Sequence, residues 1–302
     1  MTHIIKRPRR VQLAVPGSNE KMMAKAAASH ADHVFLDLED ACAPGVKVES
    51  REKVIHALNT HDWGNKIRCV RINDLGTKYA HDDIIRVVEG ARENLDTIMI
   101  PKVMTPADVY WVEVLLNQLE LKIGMNKKIG IELLIEETEG MINVEAIAKS
   151  STRLEAIIFG MGDYSASQGI DMRVVNEGKY PGDMWHYARF KVTCAAKAAG
   201  IEAIDGPFGK LDDIPGYEEE CKRSFALGMS GKWALHPNQI DTALEVFTPN
   251  KADVDNARIL VKAYADAVAK GLGAVNFNGQ FIDAATARLM NNLLKKAEIV
   301  GM

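Results

Sequence analysis

The chain has 302 residues, of which 47% are hydrophobic and 26% are charged, and its formal net charge is -4. This composition excludes a disordered, collagenous or disulfide-scaffold protein. The small negative charge gives no general attraction for nucleic acid or anionic lipid, so we expect neither nucleic acid nor a membrane as a partner. No apolar run approaches the ~20 residues of a membrane span, and the basic amino terminus lacks the apolar stretch of a signal peptide. Four widely spaced cysteines favour reduced thiols in a cytoplasmic protein.

Eight short apolar runs alternate with longer amphipathic segments as far as about residue 248. The predicted strands are Val11–Val15, His33–Leu38, Ile67–Ile72, Thr97–Ile100, Gly130–Ile135, Ala156–Phe159, Glu202–Ile204 and Gly231–Leu235. The helical segments include Glu20–Ser29, Ser50–Leu58, Pro106–Leu121, Val144–Lys149, Trp185–Ala199, Gly216–Leu227 and Gln239–Phe247. Eight apolar strands separated by helices predict an α/β fold, the (β/α)8 TIM barrel, with a doubly wound open sheet as the alternative.

The pattern changes after Thr248-Pro249. A long helix, Asp253–Lys270, is followed by Ala274–Ile282, where Asn278-Gly279 is a strong signal for a two-residue hairpin turn. A last helix runs to Ile299, with Asp283 as its N-cap. We therefore divide the chain into a catalytic barrel, residues 1–248, and a C-terminal segment, residues 249–302. That segment is either a lid and subunit-contact arm or a helical extension packed on its own barrel.

Polar or charged groups follow nearly every predicted strand. They are Asp37, Glu39, Asp40, Arg71, Asn73, Lys102, Glu136, Glu137, Asp163, Asp205 and His236. The carboxyl ends of the strands of a barrel converge on one mouth, where active sites are assembled from several strands. The sequence therefore predicts that these groups form one site.

Glu136 and Asp163 follow two neighbouring strands, and Gly162 lets the backbone approach closely beside Asp163. Alone, such a pair is also explained by solvated or helix-capping carboxylates. At adjacent barrel ends, hard oxygen ligands favour Mg²⁺, which is usually held by one or two carboxylates together with water and substrate. His30 and His33 are expected to be surface or packing groups on the face away from the mouth.

Arg71 lies between apolar residues of its strand, and burying a guanidinium is costly unless it meets an anion. It pairs with Asp37, Glu39 or Asp40, or it clamps a substrate carboxylate or a developing enolate oxygen, and both can hold in turn. The three acids exceed what Arg71 and Lys102 need for charge balance. At least one is therefore expected to order water around a metal.

The turn Pro16-Gly17-Ser18-Asn19 precedes a helix that contains Lys21 and Lys25. Free amide groups, the helix dipole and the lysines together resemble an anion site. The turn is neither a P-loop nor a dinucleotide fingerprint, and by itself it is more often an ordinary βα turn with a helix cap.

In this order, the motifs resemble those of the citrate lyase β-subunit-like (HpcH/HpaI aldolase) family, most closely the malyl-CoA and β-methylmalyl-CoA lyases. The resemblance covers nearly the whole chain and includes Leu13–Ser18, Phe35–Asp40, Val70–Asn73, Ile100–Lys102, Asp205–Gly209, Gly231–Pro237 and the tail around Asn278 to Asp283. An ordered series of matches is more specific than any single motif.

The resemblance implies a TIM barrel that depends on Mg²⁺, with Mn²⁺ as a substitute, and that reversibly cleaves a 3-hydroxyacyl-CoA into an acyl-CoA and a 2-oxoacid. Glu136 and Asp163 would hold the metal. Arg71 would steady the thioester enolate oxygen. Asp40, with Glu39 beside it, would hold the waters around the metal.

The resemblance also implies a shared site in a homotrimer or a dimer of trimers, where Asp283 is the acid/base that reaches a neighbouring subunit. The residues matched to substrate and CoA binding are Arg71, Ser18, Lys25, Lys102, Gly162, Ala234, Leu235, His236 and Pro237. Two features depart from the family. Gln168–Met184 is shorter than in typical malyl-CoA lyases, which puts acyl and oxoacid selectivity in doubt. Asn19 replaces an arginine that is frequent in close relatives, which removes one CoA phosphate contact.

The expected reaction is therefore cleavage of malyl-CoA or β-methylmalyl-CoA to glyoxylate plus acetyl-CoA or propionyl-CoA. Citramalyl-CoA lyase, which releases pyruvate and acetyl-CoA, is the first alternative. The others are a malyl-CoA thioesterase that uses the same metal site and a non-catalytic subunit of a citrate-lyase-like complex.

Overall fold

A computed structural model describes residues 7–171, 173 and 182–302. Residue contacts divide this part of the chain into two compact units. The first contains Arg9–Leu244, and the second contains Glu245–Met302 together with Arg7 and Pro8. Of the short Gln168–Met184 segment, residues 172 and 174–181 lie outside the described residues. No helix in the described part of the chain is long and apolar enough to cross a membrane.

The first unit is built on a closed barrel of eight parallel strands, counted within the described residues. The strands are β1 (Val11–Pro16), β2 (His33–Asp37), β3 (Ile67–Arg71), β4 (Thr97–Ile100), β5 (Gly130–Ile135), β6 (Leu154–Phe159), β7 (Glu202–Asp205) and β8 (Gly231–Ala234). They pair in chain order, and β1 closes the barrel by pairing with β8 through Val11 and Lys232. The predicted TIM barrel is confirmed and the open sheet is excluded.

Helices follow the strands, and all of them lie in the first unit except α9, whose last three residues belong to the second. They are α1 (Glu20–Ala27), α2 (Lys47–Thr60), α3 (Ala80–Ala91), α4 (Pro106–Ile123), α5 (Thr138–Ile147), α6 (Met161–Gln168), α7 (His186–Ala199), α8 (Ile214–Ala226) and α9 (Ile240–Phe247). The start of α5 differs most from the prediction, which placed a helix at Val144–Lys149. Gly140 obscured that start, because glycine disfavours a helix interior. Here it is needed, since a side chain would strike the carbonyl oxygen of Val103.

Side chains fill the barrel in layers, because alternate residues of each strand point inward. Along β2 the inward residues are His33 at the base, Phe35 in the middle and Asp37 at the mouth. The middle layer is apolar and consists of Ala14, Phe35, Cys69, Met99, Leu134, Ala156, Ile158, Ile204 and Trp233. Burying each large side chain of this layer stabilises the fold by about 1.5–3 kcal/mol. The apolar layer also separates the charges at the mouth from those at the base.

The base layer is a hydrogen-bonded cluster around the buried Glu132. Its carboxylate accepts hydrogen bonds from Arg9, Gln12 and Thr97, and one oxygen lies 3.0 Å from Nε2 of His33. Burial alone would raise the pKa of Glu132, but the charges of His33 and Arg9 outweigh it and hold the pKa well below its usual range. His33 is therefore a packing group away from the mouth, as expected.

His33, Cys69 and Glu132 also bring three possible ligand atoms within 4.8 Å of one another. Two observations argue against a metal there. The guanidinium of Arg9 lies 3.2 Å from the Glu132 carboxylate and would repel a cation. Burial raises the pKa of Cys69 and keeps it as the thiol, which is a poor ligand.

The second unit contains two packed helices and a hairpin. Its elements are α10 (Lys251–Ala269), β9 (Val275–Phe277), β10 (Gln280–Ile282) and α11 (Ala284–Ile299). Asn278 and Gly279 have φ angles of +50° and +82°, as a type I′ turn requires, and β9 and β10 pair around them. The predicted hairpin is thus confirmed. Asp283 caps α11 by accepting a hydrogen bond of 2.9 Å from the backbone N–H of Thr286.

Candidate active site

Arg71, at the end of β3, is held at the mouth by a two-pronged ion pair. Its Nε and Nη2 donate hydrogen bonds of 2.8 and 2.6 Å to the two carboxylate oxygens of Asp37, at the end of β2. Its Nη1 lies 3.0 Å from Glu39 and 3.9 Å from Asp40. Burial alone would lower the pKa of Arg71, but Asp37 and Glu39 outweigh it and raise the pKa. The guanidinium therefore stays charged.

The pairing with Asp37 uses Nε and Nη2 of the guanidinium and does not involve Nη1. Nη1 makes no hydrogen bond to any residue that the structure describes, although it lies near Glu39. The rings of Phe35 and Trp233 lie 5.8 and 5.5 Å from Cζ of Arg71 and form a floor beneath it. Asp37 and the two rings thus fix Arg71, whose Nη1 forms an ion pair with Glu39 without a hydrogen bond.

Lys102, which follows β4, contacts acids from two loops and from α6. Its φ of +50° lies in the left-handed region, which costs about 1–3 kcal/mol for a residue with a side chain. Its backbone N–H donates a 2.9 Å hydrogen bond to Glu136, and its Nζ donates one of 2.6 Å to Glu39. Asp40 and Asp163 lie 4.0 and 3.9 Å from Nζ. The strained backbone therefore aims one donor at Glu136 and the ammonium at the other acids.

Glu136, after β5, and Asp163, in α6, belong to this cluster. Glu136 is only 3% exposed, whereas the side chain of Asp163 is 43% exposed. Burial raises the pKa of Glu136 to about 8 against the opposing charge of Arg71, and the neighbouring Glu39 and Asp163 add to the rise. A buried carboxylate in such surroundings would be stabilised by a further cation.

The mouth holds more acid than base. Its carboxylates, among the described residues, are Asp37, Glu39, Asp40, Glu136 and Asp163. The cations in contact with them are Arg71 and Lys102. A surplus of hard, anionic oxygen donors fits a divalent ion such as Mg²⁺. Glu136 and Asp163 suit it best, because the other buried carboxylates are already paired with the two cations.

Asp205 does not join this cluster, so the expectation that the polar end of β7 faces the mouth is wrong. Its buried carboxylate accepts hydrogen bonds from Arg189 of α7, Ser224 of α8 and Lys232 of β8. Two of these partners belong to helices that cover the sheet, so the side chain of Asp205 lies between the sheet and the helices and not at the mouth. His236 is exposed and caps the 3-10 turn that follows β8.

The residues expected to contact CoA differ widely in exposure. Ser18 and Leu235 are half-buried, Lys25, Gly162, His236 and Pro237 are exposed, and Ala234 is buried. The side chain of Asn19 accepts a hydrogen bond from the backbone N–H of Met22, which is an ordinary helix cap. Roles in CoA binding stay predictions for all of these residues.

Asp283 lies in the second unit, half-buried at the start of α11. Hydrogen bonds from the backbone and hydroxyl of Thr286 lower the pKa of Asp283. Its role as an acid/base stays a prediction. Lys47, whose ammonium contacts the loop after β2, was not among the predicted site residues, because a lysine in a helix normally indicates a solvated face.

Comparisons with known proteins agree with this geometry. The family model described as HpcH/HpaI aldolase/citrate lyase matches residues 10–237. The chain is 41% identical to an L-malyl-CoA/beta-methylmalyl-CoA lyase of Cereibacter sphaeroides, over 98% of this chain and 96% of that protein. It is 32% identical to a malyl-CoA/beta-methylmalyl-CoA/citramalyl-CoA lyase of Chloroflexus aurantiacus, over 98% of this chain and 89% of that protein.

A solved structure adds the ligands of a relative. The protein CitE of Mycobacterium tuberculosis, in complex with magnesium, acetoacetate and coenzyme A, superposes with a TM-score of 0.74 and 26% identity, over 97% of this chain and 99% of that chain. The barrel, the acidic mouth and the match of the family model over most of the chain lead to one conclusion. The chain belongs to the HpcH/HpaI aldolase/citrate lyase family.

Proposed function

We propose that this protein is a Mg²⁺-dependent carbon-carbon lyase that cleaves malyl-CoA or β-methylmalyl-CoA to glyoxylate plus acetyl-CoA or propionyl-CoA. The observation that carries the proposal is Arg71, fixed by Asp37 beside a cluster of carboxylates that exceeds its cations. Arg71 would stabilise the negative charge of an enolate oxygen, and a metal ion in the acidic cluster would bind the 2-oxoacid. The similarity to the Cereibacter lyase supports the choice of substrates.

The divalent ion would be held by Glu136 and Asp163. When bound, Mg²⁺ supplies a Lewis acid and a template for the oxoacid end of the substrate. Lys102 orients Glu136 through its backbone N–H and restrains Glu39 through its ammonium. Asp40 and Glu39 would order the waters around the ion, as carboxylates beside a metal site commonly do.

Arg71 would stabilise the charge that develops on the CoA fragment. In cleavage, the hydroxyl group gives its proton to solvent water and becomes the carbonyl of the oxoacid, and the C2–C3 bond breaks. The electron pair of that bond moves into the thioester, whose oxygen becomes an enolate oxygen. A donor already aimed at this oxygen is worth about 10²–10³ in rate. Asp37 keeps Arg71 aimed, because its two oxygens accept from Nε and Nη2.

A carboxylic acid would then protonate the enolate carbon. We assign this proton to Asp283, and the same carboxylate removes it in the condensation direction. The second unit would act as a lid that excludes water, and a homotrimer or a dimer of trimers would bring Asp283 to the mouth of a neighbouring subunit. The barrel of residues 1–248 would then be the catalytic part, and residues 249–302 the lid and oligomerisation part.

The proposal is tested by mixing the protein with Mg²⁺, acetyl-CoA or propionyl-CoA, and either glyoxylate or pyruvate. We expect malyl-CoA or β-methylmalyl-CoA by mass spectrometry from the glyoxylate mixtures. Product from pyruvate would instead establish citramalyl-CoA lyase activity, which the 32% identical Chloroflexus lyase makes the second candidate. Supplied malyl-CoA that yields free CoA and malate without glyoxylate would establish a thioesterase and refute the lyase.

A further inference from the structure

We propose that Lys47 is a positioning residue for the mouth. Its ammonium fixes the loop that carries Glu39 and Asp40, and through that loop it sets the affinity of the acidic cluster for a divalent cation. This inference rests on the proposed function, because it takes the cluster to be the metal site. Lys47 itself lies in α2, outside the cluster, and contacts none of its carboxylates among the described residues.

The ammonium of Lys47 is fully committed. It donates hydrogen bonds to the carbonyl oxygens of Leu38 and Glu39, at 3.1 and 2.6 Å, and to Oδ1 of Asn73, at 2.6 Å. A lysine has three N–H donors, and these three acceptors use all of them. The side chain is half-buried. Lys47 therefore holds the backbone after β2 at two consecutive peptide groups, and it ties that backbone to the end of β3.

Asn73 is itself oriented by a buried acid. Its backbone N–H and its Nδ2 donate hydrogen bonds of 3.0 and 2.7 Å to Oδ2 of Asp83, in α3. The other oxygen of Asp83 accepts a 2.7 Å hydrogen bond from Nε of Arg51, in α2. Because Nδ2 is bound to Asp83, Oδ1 of Asn73 faces Lys47. The chain Arg51–Asp83–Asn73–Lys47 thus anchors the loop to two helices.

Glu39 depends on this anchor. Its Oε1 accepts a hydrogen bond from Lys102, and its Oε2 lies 3.0 Å from Nη1 of Arg71. That second oxygen is buried and makes no hydrogen bond within the described residues. The carboxylate is therefore held by Lys102 and Arg71 at one end and by its own backbone at the other, and Lys47 holds the carbonyl of that backbone. If the loop moves, Glu39 loses its place between Lys102 and Arg71, and Asp40 moves with it.

The variant Lys47→Met tests the inference, because methionine keeps a similar length and removes the three donors. Lys53→Met is the matched control, because Lys53 is in the same helix and, among the described residues, forms an ion pair with Glu49 alone, at 2.7 Å. Binding of Mn²⁺ to the protein without substrate, followed by the electron paramagnetic resonance signal of free Mn²⁺, gives a readout that needs no turnover. We expect the Mn²⁺ Kd to rise about 10-fold in Lys47→Met and to stay unchanged in Lys53→Met.

A purely structural role would lower the Tm of Lys47→Met and leave the Mn²⁺ Kd of the folded protein unchanged, and that result would overturn the inference. Should Lys47→Met fail to fold, Asn73→Ser decides, because it removes the side-chain acceptor of Lys47, together with the Nδ2 donor to Asp83, and leaves both backbone acceptors of Lys47 in place. We expect its Kd to rise about 3-fold, and an unchanged Kd overturns the inference. If the variants show these changes in the Mn²⁺ Kd and the parent protein has no lyase activity, the role of Lys47 is supported and the proposed reaction is refuted.

Discussion

Gly160→Ala adds one methyl group against the proposed metal ligand Glu136. A Cβ on Gly160 would lie 2.5 Å from Oε2 of Glu136 and 2.7 Å from its Cβ. The φ of Gly160 is -91°, a value open to residues with a side chain, so the backbone itself is no obstacle. The substitution therefore acts through Glu136 and not through the conformation of residue 160.

The size of the displacement follows from these distances. Ordinary contacts of a Cβ begin at 3.4 Å, so the carboxylate oxygen must retreat by about 0.9 Å. Rotating the carboxylate is not sufficient, because the Cβ of Glu136 is struck as well. We expect the overpacking to cost about 1–3 kcal/mol in the free energy of unfolding. A misplacement of about 1 Å at a reacting centre lowers the rate by about 10²-fold, and a disturbed metal site lowers the affinity for the ion by about 10–100-fold.

Two measurements on Gly160→Ala check these values: a Mn²⁺ titration without substrate, and kcat/KM for malyl-CoA over a range of Mg²⁺ concentrations. Gly45→Ala is the control, since a Cβ at Gly45 would meet nothing within 4 Å. It is expected to change the free energy of unfolding by less than about 0.5 kcal/mol. If Gly160→Ala binds Mn²⁺ as tightly as the parent protein, Glu136 is not a metal ligand and the site assignment fails.

Three further predictions concern other parts of the molecule. Arg71→Lys keeps the charge but loses the two-pronged pairing with Asp37, so kcat should fall about 10²–10³-fold while the protein stays folded. Steady-state kinetics measure kcat and circular dichroism measures folding. An unchanged kcat would refute the role of Arg71 in enolate stabilisation. Asp283→Ala should leave the calorimetric Kd for the CoA ester largely intact and lower turnover by orders of magnitude, whereas unchanged turnover would show that the tail carries no acid/base. Burial alone would raise the pKa of Asp205, but the charges of Lys232 and Arg189 outweigh it and lower the pKa to about 2. A depressed pKa gives stability that is present above the unfolded value of 3.8 and is lost as the pH falls towards 2, so protonation of Asp205 should cost about 2 kcal/mol of the free energy of unfolding across this window. Other carboxylates with a lowered pKa, such as Glu132, titrate in both proteins, so urea unfolding of Asp205→Asn should lose about 2 kcal/mol less than that of the parent across this window. An identical pH dependence in both proteins would contradict the reasoning.

The sequence indicated the barrel because its signals are local. Each strand is a short apolar run bounded by turns or helices, and the observed strand ends differ from the predicted ones by at most two residues. The hairpin was equally readable, because Asn278-Gly279 supplies the positive φ angles that its turn requires. The start of α5 was not readable, because the reason for Gly140 is the carbonyl oxygen of Val103, which lies in another part of the chain.

The order of polar residues along the chain by itself determined which side chains could meet at the mouth, because successive parallel strands place their carboxyl ends together. Only the tertiary structure decided which of them do. A residue at a strand end can face the inside of the barrel or the helices. Asp37 faces inward and pairs with Arg71, whereas Asp205 faces the helices and pairs with Arg189. Likewise, Lys47 reaches the loop after β2 only because α2 folds back against it. Local propensity determines elements one at a time, whereas the pairing of charges depends on distances between segments that no spacing in the sequence records.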